Sequence, residues 1–154
     1  MIDLTKGIIM NIKVKKVLEN AKLPVKGSDG AAAYDVFAAK ETLMMGLTGP
    51  LVEYDIGLSF EVPKGYFMDV RPRSGITAKT TLMLGNGAGV VDSDYRGTVK
   101  FQFRNIMQGA GKKYNIGDRI GQILFIKCED VDFQEVEELS DTDRGEGGFG
   151  STGN

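Results

Sequence analysis

The amino-acid sequence predicts an all-β domain, a barrel or a sandwich of short strands. Apolar and polar residues alternate over short stretches, most clearly where Val99, Phe101 and Phe103 are each followed by a polar residue. Turns that contain glycine or proline separate these stretches, as in Pro63-Lys64-Gly65. Residues 74–79 alone have the composition of a helix, and they suffice for a single turn. Many short strands joined by glycine-rich turns are typical of β-barrels and β-sandwiches.

Alternation and composition place the individual strands along the chain. Residues 10–17 alternate apolar with polar side chains, as in a half-buried strand. Residues 120–126 are nearly all apolar, which indicates a strand buried on both faces. Ser74 is placed to cap the helical turn. Strands are predicted at residues 10–17, 34–38, 51–62 (one or two strands), 66–70, 99–104, 120–126 and 132–136.

The chain of 154 residues has the length of one domain with its own hydrophobic core. We assign the β domain to residues 10–139 and regard residues 1–9 as an N-terminal extension of unknown origin. From residue 140 onward the chain loses apolar content and becomes rich in Asp, Gly and Ser. This composition predicts that residues 140–154 form a flexible, glycine-rich C-terminal tail.

The composition argues against several classes of function. A net charge of −2 gives no general attraction to nucleic acid or to a membrane surface, so we expect neither as a partner. No apolar run approaches the roughly 20 residues that cross a bilayer. Cys128 is the single cysteine, which excludes an intrachain disulfide and a multi-cysteine zinc site. We therefore expect an intracellular, cytoplasmic setting.

The chain contains no histidine, which restricts the chemistry open to it. Nucleophiles activated by histidine and histidine-ligated metals are excluded, so a general base must be a carboxylate, Lys or Tyr. Asp92 is the best candidate because it follows Val90 and Val91 at a predicted strand end, where a carboxylate would be partly shielded from water. A hairpin with a glycine-rich turn is the structural alternative for the surrounding residues 84–97.

Two further segments have the composition of anion-binding sites. Arg73-Ser74-Gly75 combines a cation with N–H groups at the start of the helical turn, although a basic turn without function explains it equally well. In the tail, Arg144 offers a fork for phosphate, Phe149 offers a flat face for a base, and glycine N–H groups, that of Gly150 included, can wrap phosphates. Plain disorder is the alternative for such a glycine-rich end.

Two short segments are ambiguous when they are considered alone. Gln122 lies within the apolar strand at 120–126 and needs a hydrogen-bond partner there. Asp35, which follows Ala33 and Tyr34, is either a surface charge or a ligand of a hydrated metal ion.

Together these five segments resemble, in order and in chemistry, the five motifs of the trimeric dUTPase family. The resemblance implies the family fold, a distorted jelly-roll β-barrel that assembles as a homotrimer with three active sites at subunit interfaces. Each site draws on all three chains, and a tail closes over a site that it does not otherwise build. The segments that carry the resemblance are residues 32–35, 71–75, 84–97, 117–124 and 144–153.

The resemblance also implies the reaction, which is Mg²⁺-assisted hydrolysis of dUTP to dUMP and pyrophosphate. In this family pattern Asp92 activates the water that attacks the α-phosphorus. Tyr95 packs under the deoxyribose and excludes a 2′-hydroxyl. Uracil and the sugar are held by Asn86, by the backbone of Val90, Val91 and Asp92, and by Lys100.

The remaining motif residues are expected at the triphosphate. Ser74 is aimed at the leaving pyrophosphate, Arg144 reaches the γ-phosphate, and Phe149 stacks on the uracil beside Gly150. Asp35 acts on Mg²⁺ through water. The triphosphate itself is held by Arg73, Ser74, Gly75 and Gln122.

The sequence departs from the family pattern at three positions. Ala33 replaces the usual glycine, Gly121 replaces the usual alanine, and Thr98 stands where an acidic residue is frequent. None of these changes removes a reacting group. The alternatives are a dCTP deaminase-like or bifunctional nucleotide enzyme of the same fold, and a non-catalytic regulatory trimer.

Overall fold

The computed structural model describes residues 9–47, 49–107 and 113–148, and short strands dominate these ranges, which confirms the all-β prediction. Among the described residues, no helix has the length and apolar character to cross a bilayer. The elements are β1 (Lys13–Lys16), β2 (Val25–Lys26), β3 (Tyr34–Phe37), β4 (Lys40–Gly46), β5 (Gly49–Asp55), β6 (Leu58–Glu61), β7 (Tyr66–Arg71), α1 (Ile76–Lys79), β8 (Leu82–Leu84), β9 (Gly89–Val91), β10 (Lys100–Asn105) and β11 (Arg119–Lys127).

The strands form two larger sheets and one small one. The first has the order β4-β5-β10-β8, the second has the order β2-β3-β11-β7-β9, and β1 pairs with β6 alone. All of these pairs are antiparallel. One hydrophobic core contains buried residues from both larger sheets, and its largest fully buried side chains include Tyr54, Phe101, Phe103, Met68 and Ile123.

The alternation in β10 builds the centre of this core. Phe101 and Phe103 are fully buried, whereas Lys100 and Gln102 are exposed, as a period of two requires. Phe103 meets Tyr54 edge to face, with ring centroids 6.0 Å apart. Burial raises the pKa of Tyr54 to about 12, so its hydroxyl keeps its proton at neutral pH and donates to the Tyr114 carbonyl at 2.9 Å.

Glycine occupies two turn positions, Gly57 and Gly65, where the backbone has a positive φ. The predicted turn at 63–65 is confirmed: the Tyr66 N–H donates to the Pro63 carbonyl at 3.1 Å, and Gly65 has a φ of 83°. Gly57, between β5 and β6, has a φ of 67°, and a Cβ there would lie 2.8 Å from the Cβ of Leu18. A side chain at Gly57 would therefore disrupt both the turn and the packing of the first loop.

Four expectations from the sequence need correction. The strand at 120–126 is not buried on both faces, because one face lies in the core while Leu124 is only half-buried and Ile126 is exposed. Residues 132–136 form no strand. Ser74 does not cap α1, whose N-cap is Gly75 without a side-chain hydrogen bond. Residues 84–97 are not a simple hairpin, because β8 pairs with β10 and β9 pairs with β7.

The two larger sheets pack closely where β10 crosses β11. A Cβ built on Gly121 would lie 2.0 Å from Cε1 and 2.6 Å from Cζ of Phe101. The Phe101 ring is fully buried and has no free space into which it can move. Gly121 stands where the family usually has alanine, so the large Phe101 ring and the missing methyl group compensate each other.

We expect Gly121→Ala to lower the free energy of unfolding by about 1–3 kcal/mol, because the added methyl group overpacks the core. Gly30→Ala is the matched control, since a Cβ at Gly30 meets nothing within 4 Å. Urea unfolding of both variants measures the difference. Phe101→Leu in the Gly121→Ala background should recover part of the loss, and equal stability of Gly121→Ala and Gly30→Ala would contradict this account.

Candidate active site

A cleft of about 470 Å³ lies between β10 and the segment that joins β8 to β9. We call it the first cleft. It brings together six of the residues that the family resemblance assigns to the nucleoside and to the general base: Asn86, Val90, Val91, Asp92, Tyr95 and Lys100. It also contains Glu53, Thr98, Gln102 and Arg104, which the sequence analysis did not assign to the site.

Backbone contacts hold the connecting segment 84–92 across the two larger sheets. The Gly85 N–H donates to the Gln102 carbonyl at 2.8 Å, which ties the segment to β10. Gly87, with a φ of 69°, turns the chain. A Cβ at Gly89 would come within 3.2 Å of the Val70 Cβ, so the backbone approaches β7 closely here. The side chain of Asn86 and the backbone of β9 are thereby fixed at the cleft.

Asp92 follows β9 directly, as the sequence predicts, but its side chain is exposed. The expected shielding from water is therefore absent in the single chain. A ligand or a second chain that covers the cleft would have to exclude water from this carboxylate.

A charged pair lines the wall of the first cleft. Glu53 is only 8% exposed, and its carboxylate lies 3.0 Å from Lys100 Nζ and accepts a 2.9 Å hydrogen bond from Gln102 Nε2. Burial alone would raise the pKa of the Glu53 carboxyl, but the hydrogen bonds from Gln102 and Lys100 and the charge of Lys100 outweigh it and lower the pKa. Glu53 therefore stays ionised and fixes the ammonium group of Lys100 in the cleft.

A second cleft, of about 520 Å³, contains Asp35 and Gln122 together with Asp69 and Arg71. Arg73 Nε donates to Asp35 Oδ1 at 3.1 Å, and Arg119 Nη1 lies 3.4 Å from Asp35 Oδ2. Gln122 Nε2 donates to the Pro72 carbonyl at 3.2 Å, which supplies a partner for this half-buried side chain. Asp35, Arg73 and Gln122 thus form one group, and Ser74 and Gly75 follow Arg73 directly.

Strand β7 separates the two clefts. Val70 lines the first cleft, whereas its neighbours Asp69 and Arg71 line the second. Successive side chains of a strand point to opposite faces, so these clefts draw on opposite faces of β7. The cleft that contains Asp92 and the cleft that contains Asp35 and Gln122 are therefore separate in the single chain.

The tail residues are only partly within the described ranges. Arg144 is exposed, and its Nε donates to the Gly147 carbonyl at 2.7 Å. This contact belongs to the tail itself and lines neither cleft. Phe149 and Gly150 lie outside the described residues.

The described residues contain no cluster of three Asp, Glu, Cys or His side chains able to hold a metal. Asp35 is the predicted metal contact, and both of its oxygens already face guanidinium groups. This arrangement suits an indirect contact through water to a cation that is held chiefly by other groups. Mg²⁺ is commonly bound in this way, by substrate phosphates, water and one or two carboxylates.

Glu53, Gln102, Asp69 and Arg71 line the clefts but were not assigned to a site from the sequence, because their positions depend on how the strands fold and pair. Glu53 stands opposite Gln102 in the pairing of β5 with β10, and Asp69 lies two residues from Arg71 on one face of β7. The only sequence signal was a charged residue within each apolar strand, which by itself also fits a solvent-facing position.

Comparison with known proteins identifies the family of the chain. The family model described as dUTPase matches residues 19–153. The deoxyuridine 5'-triphosphate nucleotidohydrolase of Helicobacter pylori (strain ATCC 700392 / 26695) is 40% identical over 144 residues, which cover 94% of this chain and 97% of the relative. The enzyme of the same name from Yarrowia lipolytica is 41% identical over 148 residues, which cover 94% of this chain and 90% of the relative.

Solved structures agree on the fold. The dUTPase of Staphylococcus bacteriophage 80alpha, described with dUpNHpp, superposes with a TM-score of 0.75 over 94% of this chain and 99% of its own, at 24% identity. A dUTPase from phage phi11 of S. aureus, whose description mentions a structural Mg(II) ion, gives a TM-score of 0.69 over 84% of this chain at 21% identity. These likenesses confirm the predicted jelly-roll fold. With the family match over most of its length and its close agreement with two curated relatives, the chain belongs to the dUTPase family.

Proposed function

We propose that this chain hydrolyses dUTP to dUMP and pyrophosphate, with Asp92 as the base that activates the attacking water. The observation that carries the proposal is the first cleft, which gathers Asn86, Asp92, Tyr95 and Lys100 in a chain of this family. A carboxylate is the base that a chain without histidine can offer. Phosphoryl transfer needs mainly positioning and charge stabilisation, which the cleft and its cations supply.

The nucleoside end of dUTP is assigned to the first cleft. Uracil presents an acceptor, a donor and an acceptor along one edge, and the backbone from Val90 to Asp92 with the amide of Asn86 can match this pattern. Tyr95 lies beneath the sugar, where its ring leaves no room for a 2′-hydroxyl. Lys100, fixed by Glu53, contributes positive charge at the sugar and its phosphate.

The triphosphate end is assigned to the second group, Arg73, Ser74, Gly75 and Gln122. Asp35 orients Arg73 through the 3.1 Å ion pair, so that the guanidinium is already in place before substrate arrives. We also propose Mg²⁺ as the cofactor, held by phosphate oxygens and water, with Asp35 contacting it through water. When bound, the ion neutralises charge that develops on the phosphate oxygens.

We further propose a homotrimer in which neighbouring copies complete each site. The two groups of site residues face opposite sides of β7, so a substrate that contacts both must lie between chains. The segment after β11 also leaves Val131, Phe133 and Leu139 exposed by 68%, 91% and 87%. Apolar side chains exposed to this extent indicate a surface that another chain covers.

The segment that follows β11, residues 129–143, has a candidate docking surface on another copy of the chain. An apolar groove of about 530 Å³ lies beside β1 and contains Ile12, Val14, Phe60 and Phe125. Strand β1, which contributes Val14 to the groove, carries three lysines, at positions 13, 15 and 16, whereas the segment 129–143 carries many acidic residues and no basic one. Apolar and charge complementarity therefore both favour docking of this segment on another copy.

A dCTP deaminase-like activity is not favoured by the cleft. Two carboxylates line it, those of Asp92 and Glu53. Glu53 is ionised and held by Lys100 and Gln102, which opposes the proton exchange that deamination requires. A silent regulatory trimer is not favoured either, because Asp92 and Arg144 are both retained. Assays with dCTP beside dUTP distinguish these activities.

We expect Asp92→Asn to leave the fold and dUTP binding intact and to lower turnover by about 10² or more, the usual scale for loss of a general base. The measurement is pyrophosphate release from dUTP, with and without Mg²⁺, beside dTTP, dCTP and UTP. Glu19→Gln, which removes an exposed carboxylate outside both clefts, is the matched control. Near-normal turnover by folded Asp92→Asn would rule out this residue as the base.

The tail should act as a lid that orders on substrate. Fixing each glycine-rich residue costs on the order of 1–2 kcal/mol of backbone entropy, so contacts of Arg144 with phosphate and of Phe149 with uracil must supply the compensation. Removal of residues 144–154 should leave the melting temperature nearly unchanged and reduce turnover severely, because closure expels water and adds a cation. Phe149→Ala should lose about 1–3 kcal/mol of base stacking.

Turnover and thermal melting of the full and the shortened chain test this lid together. Limited proteolysis with and without a non-hydrolysable dUTP analogue provides the second readout. Full activity of the shortened chain, or equal protection of the tail in both states, would show that the tail is not a lid.

A further inference from the structure

The ring of Tyr95 rests on the backbone that follows it. A Cβ built on Gly97 would lie 2.3 Å from Tyr95 Oη and 2.6 Å from Cζ, so the phenol lies directly against the glycine. Tyr95 Oη also donates to the Thr98 carbonyl at 3.2 Å. Tyr95 is 46% exposed. The two backbone contacts therefore determine the position of the exposed face of its ring in the first cleft.

The backbone at Thr98 is in turn held from the neighbouring strand. Thr98 Oγ1 donates to Asp55 Oδ2 at 2.6 Å, and Asp55 Oδ1 accepts a hydrogen bond from the Gly57 N–H at 2.6 Å. A hydroxyl that donates to a carboxylate forms a short, charge-assisted bond, roughly twice as strong as a neutral one. Asp55 is itself fixed at the end of β5, where it stands opposite Lys100 and Lys40.

These contacts form one continuous chain from the strand end to the ring. Asp55 holds the Thr98 hydroxyl, and the Thr98 carbonyl holds the Tyr95 hydroxyl. The family frequently has an acidic residue in place of Thr98. Such a side chain would face the Asp55 carboxylate and repel it, so threonine and Asp55 are matched in this chain.

We propose that Thr98 is a positioning residue for Tyr95, and that its hydrogen bond to Asp55 sets the preference of the first cleft for a 2′-deoxy sugar over a ribose. The proposal rests on the proposed function, in which Tyr95 packs under the sugar. Without the Asp55 contact the Thr98 peptide is held by the Val99 N–H, which donates to the Leu58 carbonyl at 3.0 Å, so the peptide can still tilt about that bond and the Tyr95 ring moves with the Thr98 carbonyl. Space for a 2′-hydroxyl then opens while the base and the phosphate contacts remain.

The test compares kcat/KM for dUTP and for UTP in Thr98→Val and Thr98→Ser. Valine keeps the shape and removes the hydroxyl, so the dUTP-to-UTP ratio should fall about tenfold, within the range that a misplacement of about 1 Å can cause. Serine keeps the donor and should retain most of the ratio. Thr81→Val is the matched control, because within the described residues the buried Thr81 hydroxyl has no hydrogen-bond partner.

A double-mutant comparison distinguishes a positioning role of Thr98 from a general structural effect of its substitution. Tyr95→Phe removes the hydroxyl that binds the Thr98 carbonyl, so Thr98→Val should change the ratio little further in that background. An unchanged ratio in Thr98→Val, or an equal fall in both backgrounds, would overturn the proposal. Should Thr98→Val not fold, Thr98→Ala provides the same reading, because it also removes the hydroxyl that donates to Asp55, with a lower ratio in support and an unchanged ratio against. Failure of the unaltered chain to hydrolyse dUTP would instead overturn the proposed function itself.

Discussion

The alternation of side chains along β7 is the constraint on which this account depends. Met68 and Val70 point into the core, and Asp69 and Arg71 therefore point to the opposite face. The first cleft uses the Val70 side and the second uses the Asp69 side. The two clefts are therefore separate in the single chain, and the proposal that neighbouring copies complete each site rests on this separation.

The cations of the two clefts are fixed by carboxylates in the absence of substrate. Asp35 holds Arg73, and Glu53 holds Lys100. Long cationic side chains lose conformational entropy when they bind a phosphate. Because an ion pair within the protein already restricts these side chains, less entropy is lost when the substrate binds. A chain without histidine thus arranges charge for phosphoryl transfer from carboxylates, guanidinium groups and one ammonium group.

The sequence predicted the fold class because the fold class depends on local alternation, whereas most site residues were assigned through the family resemblance and stay a prediction. Alternation at Phe101 and Phe103 identified the central strand, and Asp92 was recognised from its place after two β-branched residues. The sequence could not predict what depends on register between distant strands, such as Glu53 opposite Gln102. It also placed a strand at 132–136, where Phe133 and Val136 are instead exposed and no strand forms. Asp92 is exposed in the single chain although it follows two β-branched residues, because its position in the sequence does not determine how far the surrounding fold covers its side chain.

Mixing of two variants tests most directly whether each site is shared between chains. Asp92→Asn and Arg73→Ala, each expected to be inactive alone, are co-expressed with different tags, and mixed assemblies are purified by both tags. If Asp92 and Arg73 of one site come from different copies, the doubly tagged trimers should have roughly a third of the unaltered activity, because about one site in three of each mixed trimer receives both intact residues. Activity no higher than that of the separate variants, in assemblies shown to contain both chains, would mean that each site belongs to one chain and would contradict the account.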